Sequence, residues 1–310
     1  MSTSPGAHVP TAAGVPTRRT PHPGVPRPRI AWPTVALAVT LLVVFAATAW
    51  VALTGRASAW ITVPVHAAVC FAMFTVLHDA THRGAGRVKA VNEVLGRVAI
   101  PFVALYASFP LFRYIHLEHH KHVNEDPSTD PDAWVIEGPA WQLPPRWAVV
   151  DGRYAWFWFR DVRSRPRAEV IESLAVMVAA VGVLMGLAVT GHLAAFALVL
   201  LIPQRIALVV LAWWFDWLPH HGLEATNRDD RFQTTRNIVG LEALLTPLMF
   251  SQNYHLVHHL HPIVPFYRYL QAWRNEEVAY LDHEPPLARI TGRPVTADEE
   301  RARRGLVSPS

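Results

Sequence analysis

Histidine is the residue type in this 310-residue chain whose spacing indicates a chemical role, because most of the 17 histidines fall in four short groups. Residues three and four positions apart lie on one face of a helix, so the patterns HxxxH and HxxHH each direct imidazoles toward one point. At this histidine frequency an HxxHH is expected roughly 0.05 times by chance, and the chain has two. The groups are His78 and His82 in HDATH, His116, His119 and His120 in HLEHH, His220 and His221, and His255, His258 and His259 in HLVHH.

Converging imidazoles indicate a metal site, and their number and type bear on which metal it would be. Zinc is satisfied by four ligands, and a zinc peptidase would show HExxH, whereas Asp79 follows His78 here. Iron accepts imidazole ligands and can keep open positions for dioxygen. A carboxylate-rich di-iron bundle is a poor match, because acidic residues are sparse around the histidines. The groups therefore favour a histidine-rich site for two iron ions.

The elements that must carry these groups are apolar helices, since 51% of the residues are hydrophobic and only 17% are charged. Residues 31–53 contain no charged residue, and as a helix they would reach roughly 34 Å, enough to cross a bilayer. A cleaved signal peptide is disfavoured by the length of this segment and of the residues before it. The sequence predicts an all-α integral membrane protein, with four transmembrane helices and a cytoplasmic helical cap that holds the metals. The predicted spans are 31–53, 58–77, 171–190 and 193–217.

Three regions follow from composition: a disordered Pro/Arg-rich tail (1–30), the membrane domain (31–287) and a charged C-terminal tail (288–310). Arginine and lysine are concentrated in the first tail and between spans two and three, which predicts cytoplasmic termini, most simply in the cell inner membrane. Because a complete hairpin separates the second histidine group from the third, all four groups are expected on the cytoplasmic side.

Other classes of partner and bond are disfavoured. The net charge of +4 comes without a basic stripe interleaved with aromatic residues, so no nucleic-acid partner is predicted. The single cysteine, Cys70, lies within span two and cannot form an intrachain disulfide. Arg205 in span four is unusual for a membrane segment. Two roles for it stay open, a hydrogen bond to the backbone near Pro203 or a position facing a substrate passage.

Three of the motifs resemble, in order and spacing, the histidine boxes of the membrane fatty acid desaturase superfamily: HDATH, HLEHH and HLVHH. The resemblance covers about residues 58–274. Within the superfamily, the carotenoid ring hydroxylases are the most similar in the flanking stretches HLEHHKHVNEDPSTDPD, FDWLPHH and NYHLVHHLHPIVPFYRY. Members of the superfamily hold two irons and use dioxygen to attack unactivated carbon–hydrogen bonds.

Carried over to these positions, the resemblance implies a set of iron ligands and no catalytic residue separate from them. The ligands are His78, His82, His116, His119, His120, His220, His255, His258 and His259. Asp216 stands four residues before His220, where it either orients His220 or a water or is a solvated charge. His122, His221 and His261 adjoin the boxes, where each either binds metal, supports a ligand or lies at the surface. Asn124, with Asp126, Asp130 and Asp132, is expected to fix a loop rather than bind metal.

The function implied is hydroxylation of a carotenoid ring. The alternatives are a fatty acyl desaturase, a carotenoid ketolase, and a non-enzymatic metal-binding membrane protein. Such an enzyme would take an apolar lipid from the bilayer together with dioxygen. Its electrons would come from a separate donor such as a ferredoxin, because the chain has no reductase-like nucleotide motif. His22 begins a near-match to the haem-binding HPGG of cytochrome b5, but Val25 breaks that motif.

Overall fold

The structure is a computed structural model that describes residues 19–306, and it is mostly helical, as predicted. The helices are α1 (Trp32–Leu53), α2 (Ala59–Thr81), α3 (Lys89–Val103), α4 (Phe109–His122), α5 (Ala133–Ile136), α6 (Leu143–Trp147), α7 (Val150–Arg160), α8 (Arg167–Val189), α9 (Leu193–His220), α10 (Glu242–Leu248), α11 (His255–Leu260), α12 (Tyr269–Asn275), α13 (Glu277–Leu281) and α14 (Ala297–Arg304). Three two-residue strands form a small sheet in the order β1 (Asn237–Ile238), β2 (Leu287–Ala288) and β3 (Pro294–Val295). Strands β1 and β2 are parallel, and β2 and β3 are antiparallel.

Four of these helices, α1, α2, α8 and α9, are long and apolar enough to cross a membrane, which confirms the predicted number of membrane helices. Most of α1 and α8 is exposed in the isolated chain, whereas more than half of the apolar part of α2 is buried. Exposed apolar surface of this extent indicates contact with lipid. Two predicted ends were too early, because α2 continues to Thr81 and α9 to His220. Each helix therefore brings histidines with it.

Exposed tryptophans mark the two membrane surfaces. Trp50 follows Trp32 by 18 residues in α1, about 27 Å of helix, which matches the hydrocarbon thickness of a bilayer. In the antiparallel helix α2, His78 follows the exposed Trp60 by the same 18 residues. His78 therefore lies at the level of Trp32, at one face of the membrane rather than within its centre.

A helical pair, α3 and α4, dips into the spanning layer and returns. The ring of Phe102, near the end of α3, contacts Phe45 in the middle of α1 at a centroid distance of 5.0 Å. The side chain of Gln204 in α9 donates a hydrogen bond to the carbonyl of Pro101. Close approach of α4 depends on Gly96, because a Cβ there would lie 2.3 Å from the ring of Phe109. The return of α4 places its histidines beside the end of α2.

Helix α9 contains two π-helical segments, Ala197–Leu201 and Ala212–Trp217. Segments of this kind are rare and are found mostly at functional sites. The second segment ends one residue before the last turn, Leu218–His220, which carries a histidine.

The structure describes part of both predicted tails. Residues 1–18 and 307–310 lie outside the described residues. Within the segment assigned to the first tail, however, Val25 is buried in the same apolar cluster as Trp273. Residues 288–306 form strands and α14, whose Thr296 and Glu299 make a capping box. These polar segments are ordered because they pack on the cap, which composition alone does not reveal.

Candidate metal centre

Five histidines from α2, α4 and α11 converge at the membrane face. Each offers one ring nitrogen, and these atoms all lie within 4.8 Å of one another. The Nε2 atom of His258 lies 3.0 Å from Nε2 of His78 and 2.8 Å from Nε2 of His120. We call this group the five-histidine cluster; its members are His78, His82, His116, His120 and His258.

Four further histidines form a second group, the four-histidine cluster: His119, His220, His255 and His259. Ring nitrogens of His119, His220 and His259 lie within 4.8 Å of one another, and Nε2 of His255 is 3.2 Å from that of His259. The rings of His120 and His259 stack with centroids 4.2 Å apart, so the two clusters adjoin. All nine predicted ligands are thus brought together, five in one cluster and four in the other.

The HxxHH spacing explains this division. In α4 the first and third histidines, four residues apart, face the five-histidine cluster, while His119 between them faces the other. In α11 the division is reversed, since His255 and His259 share the four-histidine cluster and His258 faces the five-histidine cluster. Each of the two helices therefore contributes two histidines to one cluster and one to the other.

The outer nitrogens of several histidines are held by neighbouring groups. Nδ1 of His119 lies 3.0 Å from the Asp130 carboxylate, and Nδ1 of His258 lies 2.9 Å from the Tyr269 hydroxyl. Nδ1 of His220 faces the carbonyl of Thr234 at 3.2 Å, so it carries the proton and donates it there. Bonds of this kind fix the ring orientation and leave Nε2 free to bind a metal.

A single amide contacts both clusters. The side-chain nitrogen of Gln252 lies 3.4 Å from Nδ1 of His78, and its oxygen lies 3.4 Å from Nδ1 of His255. Gln252 comes directly before α11 in a short 3₁₀ turn, so the chain entering this helix is fixed to the end of α2.

The inner nitrogens fit a metal. Nε2 atoms of His82, His116 and His220 are buried and have no hydrogen-bond partner among the described residues. Leaving buried polar atoms unsatisfied is costly, and a metal ion would satisfy them. Burial lowers the pKa of His116, His120 and His258 well below the ordinary range, and neighbouring histidines lower it further. These rings are therefore neutral, the form that binds metals.

His119 differs from the other ligands in its charge environment. Burial alone would lower its pKa, but the carboxylates of Asp132 and Asp130 outweigh that effect and raise the pKa to about 9. Asp132 Oδ2 lies 3.4 Å from Nδ1 of His119, and its Oδ1 accepts a 2.5 Å hydrogen bond from the hydroxyl of Tyr154. The four-histidine cluster thus has an anionic support that spacing did not predict.

Asp130 and Asp132 were predicted only to fix a loop. That role is present, because Asp130 accepts hydrogen bonds from the backbone amides of Asn124 and Asp132. The interpretation was incomplete, since both carboxylates also contact His119. The acidic DPD sequence after the second box was the available signal. Tyr269 and Gln252 gave no comparable signal, because their partners are distant in the chain.

Asp79, the acidic residue of HDATH, joins three parts of the chain beside the candidate metal centre. Its carboxylate accepts a 2.7 Å hydrogen bond from the Thr34 hydroxyl of α1 and a 3.0 Å bond from the Phe266 amide. This contact holds the segment after α11 against the ends of the two membrane helices.

The predicted neighbours of the boxes lie outside both clusters. His122 bonds to Glu125, and His261 bonds to the Tyr280 hydroxyl. His221 stacks on Trp217 with centroids 4.5 Å apart. Each of these rings has a partner that accounts for its position.

Asn124 and Asp216 differ in how they relate to His220. The amide of Asn124 donates to the Thr234 carbonyl at 2.8 Å, the same carbonyl that His220 faces, so Asn124 supports a ligand indirectly. The side chain of Asp216 forms no hydrogen bond to His220 or to any other described residue. The Thr234 carbonyl, rather than Asp216, therefore orients His220. The side chain of Asp216 instead borders a cavity.

That cavity reaches the five-histidine cluster at His116, and its interior is narrow, with a volume of about 50 Å³. Its walls are mainly apolar side chains of α2, α4 and α9 and of the segment after α3. The polar residues on its wall are His116, Asp132, Asp151, Tyr154 and Asp216. Apolar walls with a few polar groups suit an apolar small molecule or one end of a longer lipid.

Arg205 bonds to a residue of the cavity wall. Its guanidinium makes two parallel bonds to the Asp151 carboxylate, of 2.8 and 2.7 Å, and a third to the carbonyl of Ala148. The predicted bond to the backbone near Pro203 is absent from this set. Because Asp151 lines the cavity, Arg205 is joined to the cavity wall through this ion pair.

Comparison with known proteins gives this arrangement a family. The family model described as fatty acid desaturase matches residues 57–291, which include both histidine clusters. The chain belongs to the fatty acid desaturase family. The prediction of an oxidoreductase with histidine boxes is therefore confirmed at the level of the family.

Named relatives of this desaturase-family chain carry out different reactions. It is 28% identical to dihydrorhizobitoxine desaturase of Bradyrhizobium elkanii over 62% of this chain and 60% of the relative. It is 29% identical to a beta-carotene ketolase of Paracoccus sp. strain N81106, over 63% of this chain and 71% of the relative. A sn-1 oleoyl-lipid 12-desaturase of Synechocystis sp. is 26% identical over 63% of this chain and 61% of the relative. The match thus spans less than two thirds of the first of these relatives.

Proposed function

We propose that this chain is a membrane-bound, non-haem di-iron oxidase that hydroxylates a carbon of a carotenoid ring. The observation that carries the proposal is the convergence of nine imidazoles in two adjoining clusters, one of which faces an apolar cavity. The five-histidine cluster would hold one iron and the four-histidine cluster the other. Bound there, the two irons would supply the activation of dioxygen needed to attack an unactivated carbon–hydrogen bond.

The protein itself positions the metal ligands and the substrate, and it excludes water from the site. Asp130 and Tyr269 fix rings of the two clusters, so the ligands need little rearrangement. Apolar side chains bring the carbon to be oxidised next to His116 and keep bulk water from the site. The cavity takes one end of the molecule, while the remainder of a long lipid stays in the bilayer.

The balance of the reaction requires a partner. Hydroxylation converts a carbon–hydrogen bond and dioxygen into an alcohol and water, and it consumes two electrons and two protons. We infer that a separate one-electron carrier, such as a ferredoxin, supplies the electrons. We place both histidine clusters at the cytoplasmic face of the cell inner membrane, together with the binding site for the electron carrier and both termini. The distribution of arginine and lysine supports this orientation.

The choice of substrate rests on two lines of support. The flanks of the histidine boxes resemble carotenoid ring hydroxylases, and a beta-carotene ketolase is among the relatives. The same relative favours a ketolase as a second candidate. A fatty acyl desaturase is the third, because an acyl-lipid desaturase also matches and an apolar cavity admits an acyl chain.

Product analysis separates these candidates. The chain is expressed in a host that makes carotene and contains ferredoxin, and pigments and acyl chains are compared by mass spectrometry. A new hydroxylated carotenoid, absent with His258→Ala, is the expected result. A ketone or a new acyl double bond would replace the proposed reaction by the corresponding alternative. Exchangeable zinc and unchanged lipids would indicate a non-enzymatic metal-binding protein.

A further inference from the structure

The second feature of the membrane face is a patch of arginine and lysine without acidic neighbours. Two segments, 25–31 and 83–89, run side by side and contain no aspartate or glutamate. Their backbones are joined by three bonds, from Ala31 N to Ala85 O, Arg87 N to Pro28 O and Val88 N to Arg29 O. We call their cations the basic patch; they are Arg27, Arg29, Arg83, Arg87 and Lys89.

The charges of the basic patch are close together and accessible. Arg27 reaches across to donate hydrogen bonds to the carbonyls of Arg83 and Gly86. The other four cations are exposed. Within residues 19–306, none of the five forms an ion pair with a carboxylate.

On α14, by contrast, three arginines are neutralised by carboxylates. Arg301 pairs with Asp282, Arg304 pairs with Glu277, and Arg303 pairs with two glutamates. Five unpaired cations in one place repel one another, and the repulsion is relieved when an anionic surface covers them. The local charge therefore favours an acidic partner.

The patch also adjoins the five-histidine cluster in the chain. Exposed Arg83 directly follows His82, which is buried with its Nε2 atom unpartnered. The backbone amide of Gly84 donates to the carbonyl of Asp79, so this turn is folded against the end of α2. A protein seated on Arg83 would be separated from a proposed metal ligand by one peptide unit.

We propose that the basic patch is the docking surface for the electron donor, an acidic one-electron carrier protein. This inference rests on the proposed function, which needs electrons that the chain does not itself supply. Anionic phospholipid is the rival occupant. The carrier is favoured because the patch lies beyond the ends of α1 and α2 and includes Arg83, which directly follows His82, whereas headgroups surround the flanks of the helices near Trp32.

Binding of an acidic [2Fe–2S] ferredoxin tests the docking surface without relying on turnover. The full chain is placed in nanodiscs of phosphatidylcholine, and binding is followed by biolayer interferometry. The double variant Arg83→Gln/Arg87→Gln is expected to weaken binding about tenfold, mainly through slower association, and to reduce its salt dependence. Arg29→Gln/Lys89→Gln should give a similar loss and guards against a local folding defect at Arg83.

A matched control changes the same charge elsewhere. Arg163 lies between α7 and α8, and Arg167 is the first residue of α8. Both are exposed and form no ion pair among the described residues. Arg163→Gln/Arg167→Gln should change ferredoxin affinity less than about twofold. Equal losses in the patch and control variants would show that only net charge matters and would overturn the proposal. So would unchanged ferredoxin binding, with patch variants instead losing affinity for vesicles containing phosphatidylglycerol.

A dioxygen pulse after anaerobic reduction with dithionite separates this proposal from the function. Patch variants should then form product as the unmodified chain does, since no carrier is needed. Absence of product from the unmodified chain would count against the oxidase, while the binding result would still decide the docking surface.

Discussion

The five-histidine and four-histidine clusters share helices α4 and α11 but are supported differently. In the first, the identified contacts of the outer nitrogens are neutral, with Tyr269 beside His258 and Gln252 beside His78. In the second, His119 faces two carboxylates. A carboxylate behind a ligating imidazole increases its basicity and favours a more positive metal. The difference indicates that the two metals would not be equivalent, although all their protein ligands are histidines.

The largest effect is expected from removing the histidine whose inner nitrogen contacts two others in the five-histidine cluster. His258→Ala deletes the imidazole whose Nε2 lies between those of His78 and His120. We expect iron in the five-histidine cluster to be lost and product formation to fall at least about 100-fold. Iron per chain and product are measured by elemental analysis and mass spectrometry. His261→Ala, three residues away and bonded to Tyr280, should retain both metals; equal loss would argue that α11 had unfolded.

Asp130→Asn tests the anionic support of the four-histidine cluster. The variant keeps the size of the side chain but removes the negative charge facing His119, so metal affinity or activity should fall about 10- to 100-fold. Iron titration should show one site weakened and the other preserved. The control is Asp126→Asn in the same loop, where the side chain is exposed and bonds only locally. Equal weakening of both sites would remove the proposed distinction between the clusters.

Tyr269→Phe makes the corresponding change at the five-histidine cluster. It removes one neutral hydrogen bond to His258, so a smaller loss of activity, about 3- to 10-fold, is expected. Activity and iron content are compared side by side with those of Asp130→Asn. A larger loss with Tyr269→Phe would reverse the ranking of anionic and neutral supports.

The smallest effect concerns metal-free protein. The folded pKa of His119 is raised to about 9, so protonated His119 stabilises the fold below its ordinary pKa of 6.5, and this stability is lost as pH rises through about 9. A decrease in Tm of about 2 to 4 °C between pH 7 and 9.5 is expected by scanning fluorimetry in detergent. Asp130→Asn should flatten this dependence, and an unchanged slope would contradict the charge assignment.

Spacing revealed what lies within one helical turn and missed what is joined across the fold. The patterns HxxxH and HxxHH identified eight of the nine converging histidines, the resemblance added His220, and apolar stretches identified four membrane helices. The contact between His258 and Tyr269 depends on how the chain turns after α11, and Gln252 joins two histidines from different helices. Neither has a sequence period. Packing of Val25 and of α14 on the cap was likewise hidden, because these segments are polar and their partners are distant.

The π-helical segment Ala212–Trp217 separates two requirements that one helix has to meet. Deleting a residue within it would leave α9 long enough to cross the bilayer, but it would turn His220 by about 100° around the helix axis. Membrane insertion would therefore tolerate a deletion that dismantles the four-histidine cluster. In this helix, being a membrane anchor and being a ligand donor are separately encoded, and a hydropathy profile would not distinguish an active chain from an inert one.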